Sequence, residues 1–311
     1  MLPFLGWHFC DDGRMLFMID LLIPTVAQGL LWALLALGVY VTFRVLDIAD
    51  LTVEGSFPLG AATAASLMVA GYGPMTSLFA AFITGTLAGV VTGLLHTKMK
   101  IPALLAGILT MIALYSVNLR IMGKANLSLL GVDTSFKIAR NMLGMNMAQT
   151  TLIVGILVTF LVGLFMYWFF GTQIGAAIRA TGFNQQMIRA QGVDTDVTII
   201  LGLLLSNGLV AVSGALVAQS NGFSDVGMGT GTIVIGLASV IIGEVLFGTR
   251  SFKNCLVSVV LGSIVYRIVI ATVLAMGMPP NDLKLFTSVL VALALSMPLI
   301  KAKFGGRKVV R

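Results

Sequence analysis

Long apolar stretches dominate this chain, and they leave few folds open to it. A helix needs about 20 mostly apolar residues to cross a membrane. Since 58% of the residues are hydrophobic and only 10% are charged, a water-exposed fold of this size could not bury its apolar surface. We predict an all-α polytopic membrane protein of about nine transmembrane helices, some of them broken. The predicted helices cover residues 16–43, 53–70, 75–96, 102–122, 150–170, 197–219, 232–247, 255–276 and 283–300.

The basic residues are concentrated in alternate loops. The loops after the first, third, fifth, seventh and ninth predicted helices hold most of the 19 Lys and Arg residues. Cytoplasmic loops of membrane proteins carry this excess, so the N-terminus is predicted outside and the C-terminus in the cytoplasm. Orientation and anionic membrane lipid explain the net charge of +7 better than nucleic acid does, since no basic patch is interleaved with exposed aromatic residues.

The same pattern divides the chain into three regions. We predict an N-terminal extension at 1–14, a transmembrane domain at 15–300 and a basic cytoplasmic tail at 301–311. Two loops of the domain are long. Residues 123–149 are predicted outside, and residues 171–196 are predicted inside.

The inner loop, residues 171–196, reads GTQIGAAIRATGFNQQMIRAQGVDTD. Gly182 is predicted to interrupt a first short helix, Asn184 to cap a second one over 185–191, and Gly192 to end it. The loop is therefore predicted to form two short amphipathic helices on the membrane face, joined by a glycine turn. They are either a docking element for a cytoplasmic partner or an ordinary interfacial loop.

A proline near the start of the second predicted helix suggests an open backbone. Pro58 removes a hydrogen-bond donor and disfavours helix in the residue before it. Polar backbone exposed in this way must face protein or a cavity rather than lipid. We interpret the segment as a hinge or gate near the cytoplasmic side, with the alternative that its acidic residue caps the helix N-terminus. The segment comprises Glu54, Gly55, Ser56, Phe57 and Pro58.

Uncharged polar residues inside two other helices are further candidates for a substrate pathway. Tyr115 and Asn118 share a face of the fourth helix, and Ser206 and Asn207 lie in the middle of the sixth. Such residues either bond a neighbouring helix or line a path. The glycine-rich run 221–231 is predicted to be irregular and to precede a short, re-entrant seventh helix.

Three features of the helices concern contacts within the bundle. The repeated GxxxG of the third helix, at Gly85, Gly89 and Gly93, predicts close contact within the subunit or at a dimer seam. Glu244 is predicted to pair with Arg250 or Lys253, and Arg267 requires an internal partner.

The two histidines and two cysteines have no metal-binding spacing, so no metal site is assigned.

The run IRATGFNQQMIRAQGV resembles the coupling-helix region of ABC importer permeases of the branched-chain amino acid and ribose type. In that family this region enters a groove on the ATP-binding subunit. Residues 37–65 resemble the approach to the family's broken second helix. Residues 102–123 and 281–285 resemble a subgroup whose lipoprotein partners bind tryptophan or tyrosine. The resemblance covers 29–300 and assigns ATPase coupling to Arg179, Gly182, Asn184, Met187, Arg189, Gln191 and Gly192.

The resemblance implies the permease subunit of an ATP-driven importer for a small solute, such as an aromatic amino acid, in the bacterial cytoplasmic (inner) membrane. Its implied partners are a second permease copy, two ATP-binding subunits and an extracytoplasmic solute-binding lipoprotein. The chain has no G-x-x-x-x-G-K-[ST] pattern, so no enzymatic activity and no cofactor are expected here, and ATP and Mg²⁺ would be bound by the partner ATPase. The alternative is an ion-coupled transporter or channel, against which the sparse intramembrane acids argue.

Overall fold

The helices of the computed structural model follow the apolar stretches closely. It describes residues 11–277, 279, 282, 285–289, 291–292 and 296, and side chains from residue 22 onward. The helices in this part are α1 Asp11–Tyr40, α2 Val53–Val69, α3 Pro74–Thr97, α4 Ala103–Met122, α5 Ser135–Leu143, α6 Met147–Gly171, α7 Gln173–Phe183, α8 Gln185–Ala190, α9 Thr195–Asn221, α10 Thr232–Phe247 and α11 Phe252–Ala275.

Seven segments of the described residues are long and apolar enough to span a membrane. They show a multi-pass membrane protein, while the total of nine stays a prediction. Helix α2, at 17 residues, is one of the predicted helices outside these seven. Most of the predicted ninth helix, 283–300, lies outside the described residues, as do residues 1–10 and the tail at 301–311. Helix α1 begins at Asp11, inside the predicted extension.

Helix α9 is the centre of the bundle and is buried along most of its 27 residues. Helix α3 packs against it through Gly85 and Gly89. A Cβ at either glycine would overlap α9 atoms, including the carbonyl oxygen of Leu203 beside Gly89. Of the two predicted roles for the GxxxG repeat, these contacts support close packing within the subunit.

The connection from α1 to α2 folds back into the bundle. Helix α1 continues into a π-helical turn, Val41–Val45, and the loop 46–52 then leads to α2. The first turn of α2 lies beside the middle of α9, because the hydroxyl of Ser56 donates to the side chain of Asn207 over 2.7 Å. Helix α2 thus begins in the interior of the bundle. The predicted opening of the backbone over 54–58 is wrong, because α2 continues as an α-helix through Phe57 and Pro58.

The two ends of the bundle differ in structure. One end carries α7 and α8. The other, the β1–β2 end, carries α5 and two short antiparallel strands, β1 Asn126–Ser128 and β2 Phe223–Asp225. The long loop 123–149 therefore contains regular structure that the sequence analysis did not predict. The glycine-rich run 221–231 contains no α-helix after Asn221, as predicted, but it is not wholly irregular, because it contains β2 and a 3₁₀ turn, Val226–Gly229.

Candidate functional site

A buried carboxylate organises the loop between α1 and α2. Asp50 is 3% exposed. Its Oδ1 accepts from the backbone N–H of Thr52 over 2.9 Å, and its Oδ2 accepts from Nδ2 of Asn207 over 2.8 Å. The same amide of Asn207 donates to the carbonyl of Leu203, and its Oδ1 accepts from the hydroxyl of Ser56. The loop, α2 and α9 are therefore joined by one hydrogen-bonded network.

Through this network, the side chains of Ser56 and Asn207 hold α2 and α9 together. Both are fully buried, and each uses its side chain on another element of the bundle. Ser206 likewise donates to the carbonyl of Gly38 over 2.7 Å. Phe57 packs against Trp32 with ring centroids 5.1 Å apart. None of these four predicted pathway residues lies on the cavity described below.

The network predicts that Asp50→Leu is strongly destabilising. Leucine leaves the Thr52 N–H and the Asn207 amide without their acceptor. Each buried polar group without a hydrogen-bond partner lowers the free energy of unfolding by about 1–3 kcal/mol. Asp50→Asn keeps one acceptor oxygen, so about half of that loss is expected. Thermal unfolding of the detergent-purified chain measures both. The control is Asp133→Leu, at an exposed position. An unchanged unfolding midpoint for Asp50→Leu would show that the network does not stabilise the bundle.

Glu54 lies in the first turn of α2 and caps a different helix. Its Oε1 accepts from the backbone N–H of Gly231 over 3.0 Å, where α10 begins. The exposed N–H groups of a helix N-terminus carry partial positive charge, which a carboxylate stabilises. Glu54 therefore caps a helix N-terminus, as the predicted alternative states, but the helix is α10 and not its own helix, α2. The N-terminal ends of α2 and α10 meet at this carboxylate inside the bundle.

A cavity of about 430 Å³ lies beside this junction. It brings together five of the nine predicted pathway residues. Its walls are contributed by α2, α4 and the 3₁₀ turn before α10. The lining residues are Glu54, Gly55, Pro58, Met111, Ile112, Tyr115, Ser116, Asn118, Val226, Gly227 and Thr230.

The cavity combines polar groups with apolar walls. Nδ2 of Asn118 donates to the carbonyl of Gly55 over 3.3 Å, while its Oδ1 is buried without a hydrogen-bond partner. Tyr115 and Ile112 are more than half exposed and flank the opening. The carboxylate of Glu54 offers an acceptor for an ammonium group, and Met111, Ile112 and Tyr115 offer apolar surface for a side chain.

Sequence reasoning missed the residues that support this cavity. Asp50 lies just before α2 in the run LDIADL, and an acid within an otherwise apolar stretch was the available signal. The hydroxyls of Thr52, Thr92 and Thr110 form a second buried chain, with oxygens 2.8 and 2.9 Å apart. Threonine hydroxyls also bond to their own helix, so this chain could not be predicted from the residue types.

Local capping in the α7–α8 element agrees with the prediction. The Asn184 side chain accepts from the backbone N–H of Met187 over 3.0 Å and caps α8. Helix α8 ends at Ala190, and Gly192 follows with a φ of +85°. Asn184 thus forms the turn between the two helices.

The predicted glycine turn at Gly182 is wrong. Gly182 lies inside α7, which continues to Phe183. A Cβ at this position would overlap the backbone carbonyl of Val45. The glycine is required because α7 packs directly on the π-helical turn that ends α1, and not because the backbone must turn there.

The side chains of α7 and α8 point in different directions. Phe183 is 96% exposed and Met187 is 47% exposed. Gln191 is also exposed. Arg189 contacts Asp196 at 3.3 Å, and Lys98 contacts the other oxygen of that carboxylate at 3.2 Å, so Arg189 holds α8 against α9.

Arg179 is turned away from this exposed surface, towards α11. Its guanidinium carbon lies 5.2 Å from the centroid of the Phe252 ring, and its Nε is buried without a hydrogen-bond partner. Two exposed apolar residues of α7, Ile174 and Phe183, are not among the predicted coupling residues, and Phe183 is the more exposed of the two. The accessible surface is therefore centred on Phe183 and Met187.

Two predicted charge pairings are resolved in the bundle. Glu244 pairs with Arg44, whose Nε donates to its Oε1 over 2.9 Å, and not with Arg250 or Lys253. This pair joins the end of α10 to the end of α1. Arg267 finds an aromatic partner, since its guanidinium carbon lies 4.1 Å from the centroid of the Trp32 ring.

Known proteins resemble the chain over most of its length. A family model described as the permease component of the branched-chain amino acid transport system matches residues 21–296. A tyrosine transport system permease protein of Clostridioides difficile (strain R20291) is 39% identical over 270 residues, covering 87% of this chain and 88% of that protein. A galactofuranose transporter permease protein of Escherichia coli (strain K12) is 30% identical over 268 residues, covering 85% of this chain and 75% of that protein.

The fold also resembles a solved structure. A chain described as an inward-facing conformation of a metal-chelate type ABC transporter matches with a TM-score of 0.50 and 14% sequence identity. The match covers 96% of this chain and 91% of the other. At this identity the likeness concerns the fold alone.

Proposed function

The chain belongs to the branched-chain amino acid transport system permease family and is the permease component of an ABC transporter, and on this premise we propose that it imports an aromatic amino acid. The 39% identical relative, a tyrosine transport system permease protein, supports this substrate class over the sugar of the more distant one. The permease itself carries out no catalysis. ATP and Mg²⁺ bind a separate ATPase subunit.

The observation that carries the substrate proposal is the cavity beside Glu54. Its volume of about 430 Å³ lies within the range of roughly 300–1,000 Å³ that is typical of small-molecule sites. The carboxylate of Glu54 matches an α-ammonium group. Met111, Ile112 and the ring of Tyr115 match an apolar or aromatic side chain.

A second copy of the chain covers the open side of the cavity. Tyr115 and Ile112 are exposed in the single chain, and beside them lie Glu54 and Asn118. Polar groups at membrane depth are costly when they face lipid. A homodimer that places the two α4 helices towards each other would remove them from lipid and enclose a pathway between the copies.

The α7–α8 end faces the cytoplasm in this proposal, as the loop charges predict, in the bacterial inner membrane. Two ATP-binding subunits dock there, one on each permease, and an extracytoplasmic lipoprotein delivers the substrate at the β1–β2 end. The exposed side chains of Phe183 and Met187 supply the apolar anchors, and Asn184 and Gly192 fix the helix between them.

A continuous line of contacts leads from this dock to the cavity. Gly182 of α7 packs on the carbonyl of Val45, and the loop beyond it holds Asp50. The Asp50 network fixes the start of α2, where Glu54 caps α10. We propose that displacement of α7 by the ATPase moves the junction of α2 and α10, and so opens or closes the cavity.

Co-expression with the ATPase and lipoprotein encoded by neighbouring genes tests the function. The reconstituted complex is expected to take up tyrosine or tryptophan in an ATP-dependent manner, in preference to leucine and galactofuranose. Uptake of a sugar in preference would overturn the substrate class. Absence of both a complex and substrate-stimulated ATP hydrolysis would overturn the ATP-driven mechanism.

Phe183→Asp is expected to abolish co-purification of the ATPase. A charge at the centre of an apolar contact must be desolvated, which costs several kcal/mol when it finds no partner. Leu130→Asp is the matched control, because Leu130 is 88% exposed at the β1–β2 end. Equal recovery of the ATPase with both variants would show that α7 and α8 are not the dock.

A further inference from the structure

An apolar groove lies on the outer surface of the described bundle, between α1, α6 and α11, away from the proposed pathway. Its volume is about 490 Å³. Leu30 and Leu37 form its floor, and exposed side chains of α6 and α11, such as Phe160 and Val257, form its walls. In a membrane this groove opens directly to the acyl chains.

The groove is the length of one leaflet. From Ile156 to Tyr167 its wall follows α6 for about 17 Å, at a rise of about 1.5 Å per residue. Half of the hydrocarbon core of a bilayer is about 15 Å. An acyl chain is the occupant that its dimensions fit.

Cations surround the end of the groove nearest α7. Lys253 lines the groove itself. Tyr167 lines both this groove and an adjoining cavity, which also contains Trp168 and Arg179. The Nε of Arg179 is buried there without a hydrogen-bond partner. Aromatic residues of this kind are enriched at the membrane interface, and basic pockets between helices bind anionic headgroups.

We propose that this groove and the adjoining cavity form a binding site for one anionic phospholipid. An acyl chain lies along α6 between Phe160 and Val257. The headgroup phosphate lies beside Lys253 and Arg179. The site assigns Arg179 to lipid rather than to the ATPase dock, in agreement with its direction towards Phe252.

Native mass spectrometry of the full-length protein tests the site. The protein is purified in detergent and titrated with phosphatidylglycerol or with zwitterionic phosphatidylethanolamine. One tightly bound phosphatidylglycerol per chain is expected. Each nearby cation is worth about fivefold in affinity, so a double variant, Lys253→Ala with Arg179→Gln, should weaken phosphatidylglycerol binding about thirtyfold and phosphatidylethanolamine binding little. Lys100→Ala is the charge control and should change neither.

A second variant fills the groove without disturbing the fold. A Cβ at Gly163 would meet no other atom within 4 Å, so Gly163→Phe is sterically tolerated and places its ring in the acyl groove. It should prevent retention of both lipids. Leu157→Phe adds bulk on the same helix at an exposed position outside the groove and should retain them. Equal affinity for the two headgroups, or unchanged retention in Gly163→Phe, would overturn the proposal.

Discussion

Gly182→Val is expected to lower uptake at least about tenfold while ATP hydrolysis by the assembled complex continues. The valine side chain would overlap the carbonyl of Val45, so α7 must move away from the end of α1. Overpacking of this kind costs about 1–3 kcal/mol, and about 1.4 kcal/mol corresponds to a factor of ten. The measurement is uptake per ATP hydrolysed in proteoliposomes.

Two further glycine-to-valine variants distinguish the loss of the contact between Gly182 and Val45 from a general effect of adding a side chain. Gly192→Val strains a backbone with positive φ by about 1–2 kcal/mol but overlaps no neighbour, so a smaller uncoupling is expected. Gly73→Val is the control, because a side chain there meets almost no other atom. Normal uptake by Gly182→Val would show that the contact with Val45 does not transmit motion. Loss of the ATPase from the complex would assign the contact to assembly.

Glu54→Ala is expected to reduce uptake by about one to two orders of magnitude with the complex still assembled. Alanine removes the acceptor of the Gly231 N–H and the only carboxylate that lines the cavity within the described residues. Hydrogen bonds to charged groups contribute about 1.5–3 kcal/mol, which sets that range. Uptake of radiolabelled tyrosine and the unfolding midpoint are measured on the same preparation.

Glu54→Gln distinguishes the two roles of this side chain. Glutamine keeps an oxygen for the Gly231 N–H and removes the charge that an ammonium group would contact. We expect its unfolding midpoint to stay near that of the wild type and its KM for the amino acid to rise. A normal KM for Glu54→Gln would restrict Glu54 to capping α10. A failure of Glu54→Ala to assemble would contradict the gate.

Most of the described helices were predictable to within a few residues because their ends depend on local chemistry. Apolar length fixed α10 at 232–247 to the residue, and the caps at Asn184 and Gly192 follow from side-chain and backbone preferences over a few positions. Helix α5 was missed because it is short and amphipathic, and so carries no membrane-span signal.

The partners of the polar residues were not predictable. Glu54 could be assigned to a helix N-terminus, but not to the N-terminus of α10. Its hydrogen-bond partner there, Gly231, lies 177 positions further along the chain. Asn207 was compatible with a pathway as well as with helix packing, which is the commoner role, and its partner Asp50 could not be named from the sequence. Gly182 looked like a turn because the sequence does not show which backbone lies against it.

Local sequence patterns were enough to establish that this chain is a membrane-embedded helical bundle with a short two-helix element between two of its spans. Hydrophobic length and capping are properties of consecutive residues, and they act whatever the rest of the chain does. Packing between the helices establishes which polar groups line the cavity and which join neighbouring helices. Those roles depend on close packing between helices distant in sequence, where a shift of one turn gives every side chain a different neighbour.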